Sequence, residues 1–509
     1  MDQRSRGLIR GLGLGSLTIG TDFTGAMMLA VPIEREYGVD ITTTQWVVNV
    51  YALTFSMALV AGGRLADLYG RRRLLRIGLA IFVLASLGCT LAPTISWLIG
   101  ARALQGIGSA IVWPAILGIV SNAVEEDERG FAIGLMIGAI GIGNSIGPIA
   151  AGVLSGIGEW RMFFGINVLL GALTLAGTFR LVPADRDRAA DERIDTLGMA
   201  VLSLAILALL YALDVGADWG WGSLAILGLF AGAAVLFTLF PVIEARVRDP
   251  LMPPSMLRNG QFMIALAMNG LAVPGFFVFW IYLPQYFQNV LGWSVLEASL
   301  SIIPSMICIA VTSPIAGRLY DRIGPRSLLL FGYGLLTGAL VVTVLVTGDT
   351  KTTYIELLPS ILLVGIGSAV AVSASGPAAV AAVDPSRASL AGGLSFMVHL
   401  ALGALGVAGA TAILFGVSTA RLSGALEHLG ISLSPSAQLA LAGSARGTPE
   451  AKQALRGIDA EKATEITAAA QNAFVAGFDW AICFCVAVTT SGIILALFIR
   501  KPQAPEPSA

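Results

Sequence analysis

Two ionisable side chains, Asp22 and Arg102, lie inside long apolar stretches of the sequence, where a charge is costly. An isolated carboxyl group in such a setting is a candidate proton-binding site. A permanent guanidinium can pair with it, and Gln105, three residues after Arg102, would share the same helix face. We predict that Asp22 and Arg102 carry proton coupling. The alternatives are a structural carboxylate at Asp22 and an Arg102 that extends to the membrane interface.

Polar, aromatic and methionine side chains recur within otherwise apolar stretches and could line a large apolar cavity. Few of these positions carry a charge, which favours hydrophobic or amphipathic substrates. Packing of a satisfied histidine at His399 and interfacial anchoring at Trp280 are the alternatives. The predicted cavity residues are Gln105, Asn144, Asn269, Phe276, Trp280, Gln285, Met397 and His399.

The composition indicates the class of protein in which these residues lie. Of the 509 residues 56% are hydrophobic and 12% are charged, and the mean hydropathy is +0.81. A soluble protein keeps about a quarter of its residues charged, so we predict an all-α polytopic membrane protein. The four cysteines all fall in apolar runs without metal-site spacing, and a net charge of -1 gives no indication of nucleic acid binding.

Apolar runs of spanning length predict fourteen transmembrane helices, or twelve if the seventh and eighth runs form one re-entrant unit. Most Lys and Arg residues fall in alternate connections, which predicts that both termini are cytoplasmic in a multi-pass cell membrane protein. We expect no cleavable signal peptide, because the first run is itself long enough to span. The predicted spans are 11–32, 46–62, 74–92, 96–120, 131–154, 162–181, 197–213, 224–243, 262–287, 298–316, 328–347, 357–383, 392–415 and 474–499.

An internal repeat divides the chain. The connection Gly63 to Arg73 recurs at Gly317 to Arg326 with a constant offset of 254 residues. This predicts two related six-helix halves, 1–190 and 251–509, separated by a two-helix insert at 191–250. An Ala-rich segment at about 416–472 is expected to form extramembrane amphipathic helices.

The repeated connection predicts a conformational gate. Its glycines allow sharp turns between helices, its aspartate can accept hydrogen bonds from the first amides of a neighbouring helix, and its arginines can contact anionic headgroups. A positive-inside loop is the simpler explanation for the arginines, but it leaves the paired glycines unexplained. The predicted gating residues are Gly63, Asp67, Gly70, Arg71, Arg72, Gly317, Asp321 and Gly324.

The fifth run is rich in glycine. Small residues spaced by four allow two helices to approach closely, and Pro148 removes one helical hydrogen bond, so this run predicts either a hinge or plain close packing. The residues of this pattern are Gly138, Gly143, Gly147, Pro148 and Gly152.

These motifs resemble the major facilitator superfamily, and in particular its fourteen-span drug:proton antiporter branch. Gly63 to Arg73 is similar to the family's G-x-L-A-D-R-x-G-R-K signature, with Leu68 at a usually basic position. Arg102 to Gly108 resembles R-x-x-Q-G-x-G, and the fifth run resembles G-x-x-x-G-P-x-x-G-G with Ala151 in place of one glycine. Asp22 and Pro32 resemble the D-x-T...A-L-P pattern of the first helix, but they lie ten residues apart, one more than usual. One residue turns a helix by about 100°, so the direction of Asp22 stays open.

The resemblance implies a proton-coupled exporter of hydrophobic or amphipathic compounds such as drugs, which works by alternating access, with Arg102 taking part in proton relay. Export of a lipid or metabolite on the same fold, a non-transporting sensor and an intramembrane enzyme are the alternatives. The expected partners are protons, a small-molecule substrate and the lipid bilayer, with no nucleic acid, no cofactor and a monomeric state. The sequence contains no G-x-x-x-x-G-K-[ST] loop, so ATP is not expected to be the energy source.

Overall fold

The computed structural model describes residues 3–39, 41–125, 128–157, 159–183, 195–247, 250–348, 352–428, 431, 437–438, 441 and 460–500. Within these ranges the chain is helical and contains no strand. The prediction of an all-α membrane protein is therefore confirmed. The helices are α1 Gln3–Gly25, α2 Ala30–Tyr37, α3 Ile41–Tyr69, α4 Arg71–Thr90, α5 Ile95–Ala123, α6 Arg129–Gly156, α7 Arg161–Leu181, α8 Thr196–Trp219, α9 Leu224–Glu244, α10 Pro254–Arg258, α11 Gly260–Leu271, α12 Val273–Asn289, α13 Val295–Leu300, α14 Ile303–Ile323, α15 Pro325–Thr347, α16 Tyr354–Ala381, α17 Ala388–His428 and α18 Ala460–Ala496.

Thirteen helical segments of the described chain are long and apolar enough to cross a membrane. The first predicted span is not among them, because a 3-10 segment at Ala26–Leu29 divides it between α1 and α2. The ninth predicted span is formed by α11 and α12 together. Fourteen spans remain the prediction for the whole chain.

Local sequence signals set several helix ends. The side chains of Thr94, Asp195 and Ser223 each accept a backbone hydrogen bond from the first turn of the helix that follows. Gly70 and Gly324 join α3 to α4 and α14 to α15 with positive φ angles of 99° and 80°. A residue with a Cβ rarely adopts this conformation, which explains the glycine at both repeated turns.

Of the two insert helices, α8 packs on α3 of the N-terminal half, and α9 packs on α8. The Ser203 hydroxyl on α8 donates to the Met57 carbonyl on α3 at 2.8 Å, and Asn49 donates to Asp214 at 2.8 Å. The division into two halves and an insert stays a prediction. Of the segment at 416–472, residues 416–428 continue α17 and residues 460–472 belong to α18, while most of the rest lies outside the described residues.

Two buried carboxyl groups, Asp195 and Glu244, lie close together where α8 begins and α9 ends. Asp195 caps α8 through the Gly198 amide at 2.7 Å, and Glu244 at the end of α9 accepts the Met252 amide at 2.8 Å. The second oxygens of the two groups, Asp195 Oδ2 and Glu244 Oε1, have no donor unless one group carries a proton and donates it to the other. Both of these oxygens lie 2.2 Å from the position that a Cβ on Gly198 would take, so they face one another across this glycine.

A separate ion pair joins α2 to α7 at the opposite end of the bundle from the Gly63 to Arg73 loop. Arg161 contacts Glu36 at 2.5 Å, and Arg161 also donates to the Ala92 carbonyl at 3.0 Å. The hydrogen bond from Arg161 lowers the pKa of the Glu36 carboxyl group below its ordinary value. Both side chains are partly exposed, so the pair contributes little to stability.

Candidate functional site

Asp22 and Arg102 form an ion pair in the interior of the N-terminal half. The Arg102 Nη1 atom lies 2.7 Å from Asp22 Oδ2, and neither side chain has solvent exposure. Asp22 comes from α1 and Arg102 from α5, so the contact joins two helices. Because Arg102 is fully buried, it does not extend to the interface, which was the alternative for this residue.

Two amide side chains complete the surroundings of Asp22. Asn167 on α7 and Gln105 on α5 donate to Asp22 Oδ1 at 2.7 Å and 3.1 Å. Gln105 also donates to the Ser86 hydroxyl on α4 at 2.8 Å. Three helices therefore meet at the carboxylate, and α4 joins them through Gln105. We name this group of residues the Asp22 network: Asp22, Ser86, Arg102, Gln105 and Asn167.

The guanidinium of Arg102 is held from a fifth helix, α3. Its Nε atom donates to the Val47 carbonyl at 2.9 Å, and its carbon lies 4.3 Å from the centre of the Tyr51 ring. Its Nη2 atom has no hydrogen-bond partner. The face of the Tyr51 ring stabilises the positive charge of the guanidinium, by about 1 to 2 kcal/mol when the contact is desolvated.

Sequence reasoning left the direction of Asp22 open because of the extra residue before Pro32. The 3-10 segment at Ala26–Leu29 lies between these two residues. It winds at about 3.0 residues per turn instead of 3.6, which changes the angular relation of Asp22 to Pro32. Asp22 faces Arg102 in the resulting arrangement. The contribution of Asn167 was missed, although its place in an apolar run was a usable signal.

An apolar cavity of about 140 Å³ lies between the two halves, next to the Asp22 network. Its described lining contains no Asp, Glu, Lys or Arg. Gly20 and Phe23 of α1 contribute to its wall on either side of Asp22 in the sequence. The aromatic part of the lining comes from both halves: Phe23, Phe55, Trp113, Phe276, Phe277, Trp280, Phe396 and His399.

The predicted cavity residues divide into two groups. Asn144, Asn269, Phe276, Trp280 and His399 line this cavity. Gln105, Gln285 and Met397 do not line it, so their assignment is corrected here. The Gln105 side chain belongs to the Asp22 network instead, because its Nε2 atom donates to Asp22 and Ser86 and its Oε1 atom accepts from Arg102 Nη1 at 2.6 Å.

The repeated loop joins the two halves in this structure. Asp67 at the end of α3 accepts the amides of Ser389 and Leu390, at 3.3 Å and 2.8 Å, which belong to the first turn of α17. Arg71 pairs with Asp67 at 2.7 Å and donates to the carbonyl of Pro385 at 2.9 Å. The hydrogen bonds expected of this aspartate are therefore present, and they cross from one half to the other.

The second copy of the loop makes the equivalent contact in the opposite direction. Asp321 at the end of α14 accepts the amides of Gly130 and Phe131, each at 2.9 Å, in the first turn of α6. A Cβ on Gly317 would lie 2.2 Å from the Gly130 carbonyl, and a Cβ on Gly63 would lie 2.6 Å from the Ser389 carbonyl. Both loops thus hold the halves together at the same end of the bundle. We name these contacts the Asp67 latch and the Asp321 latch.

Arg72, the remaining predicted gating residue, points away from this interface. It donates to the Phe179 carbonyl at the end of α7 at 3.2 Å. Its contact therefore lies within the N-terminal half.

The glycines of α6 bring it against helices in both halves. Cβ atoms on Gly143 and Gly147 would lie 2.2 Å and 2.4 Å from the α1 backbone, and one on Gly138 would lie 3.2 Å from α14. Gly152 has open space around it. Pro148 lies inside this helix, so α6 combines close packing on two sides with a missing hydrogen bond.

Comparison with known proteins places the chain among transporters. A family model described as Major Facilitator Superfamily matches residues 12–407. The puromycin resistance protein pur8 of Streptomyces alboniger is 33% identical over 78% of this chain and 79% of its own length. The multidrug resistance protein Stp of Mycobacterium tuberculosis is 33% identical over 82% and 76%. The tetracenomycin C resistance and export protein of Streptomyces glaucescens is 26% identical over 97% and 91%.

A solved structure shares the fold. The crystal structure of the human organic anion transporter MFSD10 (TETRAN) matches with a TM-score of 0.62 and 15% identity, covering 96% of this chain and 100% of that one. At this identity the match concerns the fold alone.

Proposed function

Because the chain belongs to the Major Facilitator Superfamily, we propose that it is a proton-coupled antiporter that exports hydrophobic or amphipathic compounds, drugs among them, by alternating access. The names of the relatives, which are resistance and export proteins, support efflux rather than uptake. Asp22 is the proposed proton-binding group and Arg102 its charge partner. The cavity between the halves is the proposed substrate site.

The observation that carries the proposal is the path of helix α5. It holds Arg102 and Gln105 in the Asp22 network, Trp113 in the cavity wall, and the Gly118 carbonyl, which accepts a hydrogen bond from Arg71 at 3.0 Å. One helix therefore touches the proposed proton site, the proposed substrate site and the Asp67 latch. A shift of α5 changes all three together, which is what coupling of two ligands through a conformational equilibrium requires.

Aromatic contacts give a second connection between the proton site and the cavity. Tyr51, which faces Arg102, lies 5.8 Å from Phe55, and Phe55 lies 5.7 Å from Phe396 across the interface between the halves. Both phenylalanines line the cavity. A change in the position of the guanidinium is therefore transmitted by packed rings to the substrate site.

Protonation of Asp22 removes the charge that Arg102 Nη1 contacts and turns one acceptor oxygen into a donor. Donors already face both oxygens, since Arg102 contacts Oδ2 while Gln105 and Asn167 donate to Oδ1. The Asp22 network must therefore rearrange to accommodate the added proton. In the proposed cycle, this rearrangement weakens the closed state. The latch end would face the cytoplasm, as the distribution of Lys and Arg predicts, so release of the latches opens the cavity to cytoplasmic substrate.

The test is transport by the purified protein in vesicles with an acidic lumen. Uptake of labelled puromycin above that of protein-free vesicles measures proton-driven exchange. We expect wild type to accumulate puromycin and Asp22→Asn to lose the gradient-dependent part while still binding it. Asp214→Asn is the matched control, because Asp214 also accepts an amide hydrogen bond but is exposed on α8. Gradient-driven uptake by Asp22→Asn at the wild-type rate would refute the role of Asp22.

A further inference from the structure

Three polar atoms in the cavity wall have no hydrogen-bond partner in the described part of the chain. They are the indole Nε1 of Trp113, the amide Oδ1 of Asn144 and the imidazole Nδ1 of His399. Trp113 and His399 are 2% and 7% exposed. All three residues line the same cavity, and we call them the polar triad. Trp113 and Asn144 come from the N-terminal half, and His399 comes from the C-terminal half.

Buried polar groups without a partner are rare in proteins, because each loses its hydration without compensation. The other polar side chains of this cavity show the ordinary pattern. Trp280 donates through Nε1 to the Ser305 hydroxyl at 3.2 Å. Asn269 donates to the Ser395 hydroxyl at 2.7 Å and accepts from Ser375 at 3.2 Å. The triad therefore differs from its neighbours, and a ligand in the cavity would satisfy it.

The chemistry of the triad defines what the ligand must offer. The Trp113 indole N–H only donates, so it requires an acceptor such as a carbonyl oxygen. The Asn144 oxygen only accepts, so it requires a donor such as an amine or hydroxyl group. The His399 nitrogen can take either role according to the tautomer of the ring. A suitable ligand thus carries at least one acceptor and one donor on an apolar framework.

Aromatic rings define the shape of that framework. Phe396 lies between Trp113, at 5.3 Å, and His399, at 5.1 Å with an interplanar angle of 8°. Phe276 and Phe277 approach the same imidazole at 6.1 Å and 6.2 Å. Flat aromatic surfaces pack well against such ring faces and edges.

The charge of the cavity wall separates neutral ligands from cations. Its described lining carries no carboxylate, and the nearby Asp22 is already paired with Arg102. A permanent cation would lose its hydration here without a counterion, and ring faces return only part of that loss. An uncharged compound avoids this cost.

We propose that this cavity binds flat, uncharged aromatic compounds that carry both a carbonyl-type acceptor and an amine or hydroxyl donor, in preference to permanent organic cations. The proposal rests on the proposed function, because it takes this cavity as the transport site. It adds that Trp113, Asn144 and His399 determine specificity.

The test is equilibrium binding to the full chain in detergent, by calorimetry, with four probes of similar three-ring shape. Anthracene has no polar group, anthraquinone adds acceptors, aminoanthraquinone adds a donor, and N-methylacridinium is a permanent cation. We expect aminoanthraquinone to bind wild type about tenfold more tightly than anthracene or N-methylacridinium, as one or two additional hydrogen bonds predict.

Trp113→Phe keeps an aromatic ring and removes the unpartnered N–H together with the pyrrole part of the indole. It should weaken aminoanthraquinone binding by about fivefold to tenfold more than it weakens anthracene binding, because only aminoanthraquinone loses a hydrogen bond. Trp280→Phe is the matched control, since its N–H is already satisfied by Ser305. Trp280→Phe should leave the ratio of the dissociation constants of aminoanthraquinone and anthracene unchanged. Asn144→Leu should repeat the effect of Trp113→Phe for aminoanthraquinone but not for anthraquinone.

Two results would overturn the inference: N-methylacridinium bound as tightly as aminoanthraquinone, or equal losses in Trp113→Phe and Trp280→Phe. The comparison of probes on wild type stands even if one variant does not fold. Binding as expected without gradient-driven uptake in vesicles would contradict the proposed function and leave the site assignment intact. Gradient-driven uptake of cations with no uptake of neutral probes would support the proposed function and contradict the assignment of the cavity to neutral ligands.

Discussion

The two latches hold the same end of the bundle closed, so neutralising either aspartate should shift the protein toward the open state. In Asp321→Asn one oxygen still accepts an amide, but the side-chain NH₂ group faces the other amide and cannot accept from it. The loss comprises one hydrogen bond to a charged group, about 1.5 to 3 kcal/mol, and the attraction between the carboxylate and the α6 N-terminus, about 0.5 to 1 kcal/mol. The sum, about 2 to 4 kcal/mol, corresponds to a shift of about 30- to 800-fold in the ratio of open to closed protein.

Asp67→Asn should have a similar or smaller effect. One of its two amide contacts is longer, 3.3 Å against 2.9 Å for both contacts of Asp321, so the bond that is lost contributes less. The latches involve different helices at separate sites, and their free energies should add in the double variant.

The assay is electron–electron distance spectroscopy in a cysteine-free background, with spin labels at the exposed positions 73 and 326, one in each half. A longer distance should gain population in each single variant and more in the double variant. Asp384→Asn is the matched control, because Asp384 caps Ser386 within its own half at the same end of the bundle. An unchanged distance distribution in Asp321→Asn would show that its contact with α6 does not hold the closed state. An equal response in Asp384→Asn would show that the shift is not specific to the latches.

Three further predictions concern stability. Gly143→Ala should cost about 1 to 3 kcal/mol, because its Cβ would lie 2.2 Å from the α1 backbone, whereas Gly152→Ala on the same helix should be neutral or stabilising by calorimetry. Arg161 lowers the pKa of Glu36, so the ionised carboxylate stabilises the folded protein above the ordinary pKa of 4.5, and this stabilisation is lost as the pH falls through the lowered pKa. Glu36→Gln should remove this pH dependence from melting curves recorded at descending pH. Glu244→Gln should raise the melting temperature at high pH, where both facing carboxyl groups would otherwise be ionised, because its amide NH₂ donates to the Asp195 carboxylate without needing a proton. A lower melting temperature in Glu244→Gln would contradict that reading, as would a clear loss of stability in Gly152→Ala.

Sequence reasoning predicted the parts of the site where the charge of a residue restricts which groups can surround it. A carboxylate and a guanidinium within apolar helices must find partners, so Asp22 and Arg102 could be named as candidates before any coordinates, and the structure shows that they pair with each other. The aspartate of the repeated loop stands where one helix ends and others begin, and helix N-termini offer amides to such a group. These constraints act through charge and do not depend on the details of packing.

The parts that sequence reasoning missed depend on rotation about a helix axis. Gln105 could face the cavity or the carboxylate, and the hydrogen bonds of Ser86 and Asp22 decide between them. The 3-10 segment in the first predicted span has no clear signature in Ala26–Leu29. The triad could not be identified at all, because only coordinates show which polar atoms the protein leaves without partners.

The repeat also carries an asymmetry that bears on the mechanism. The offset of 254 residues places Pro325 at the position equivalent to Arg71. Arg71 joins the Asp67 latch to the Gly118 carbonyl of α5, the helix that holds Arg102. Proline has no guanidinium and cannot make this connection at the Asp321 latch. In the proposed coupling, a rearrangement at the Asp22 network reaches the Asp67 latch through α5 and Arg71, whereas the packing of α6 against α14 connects the Asp321 latch to the N-terminal half.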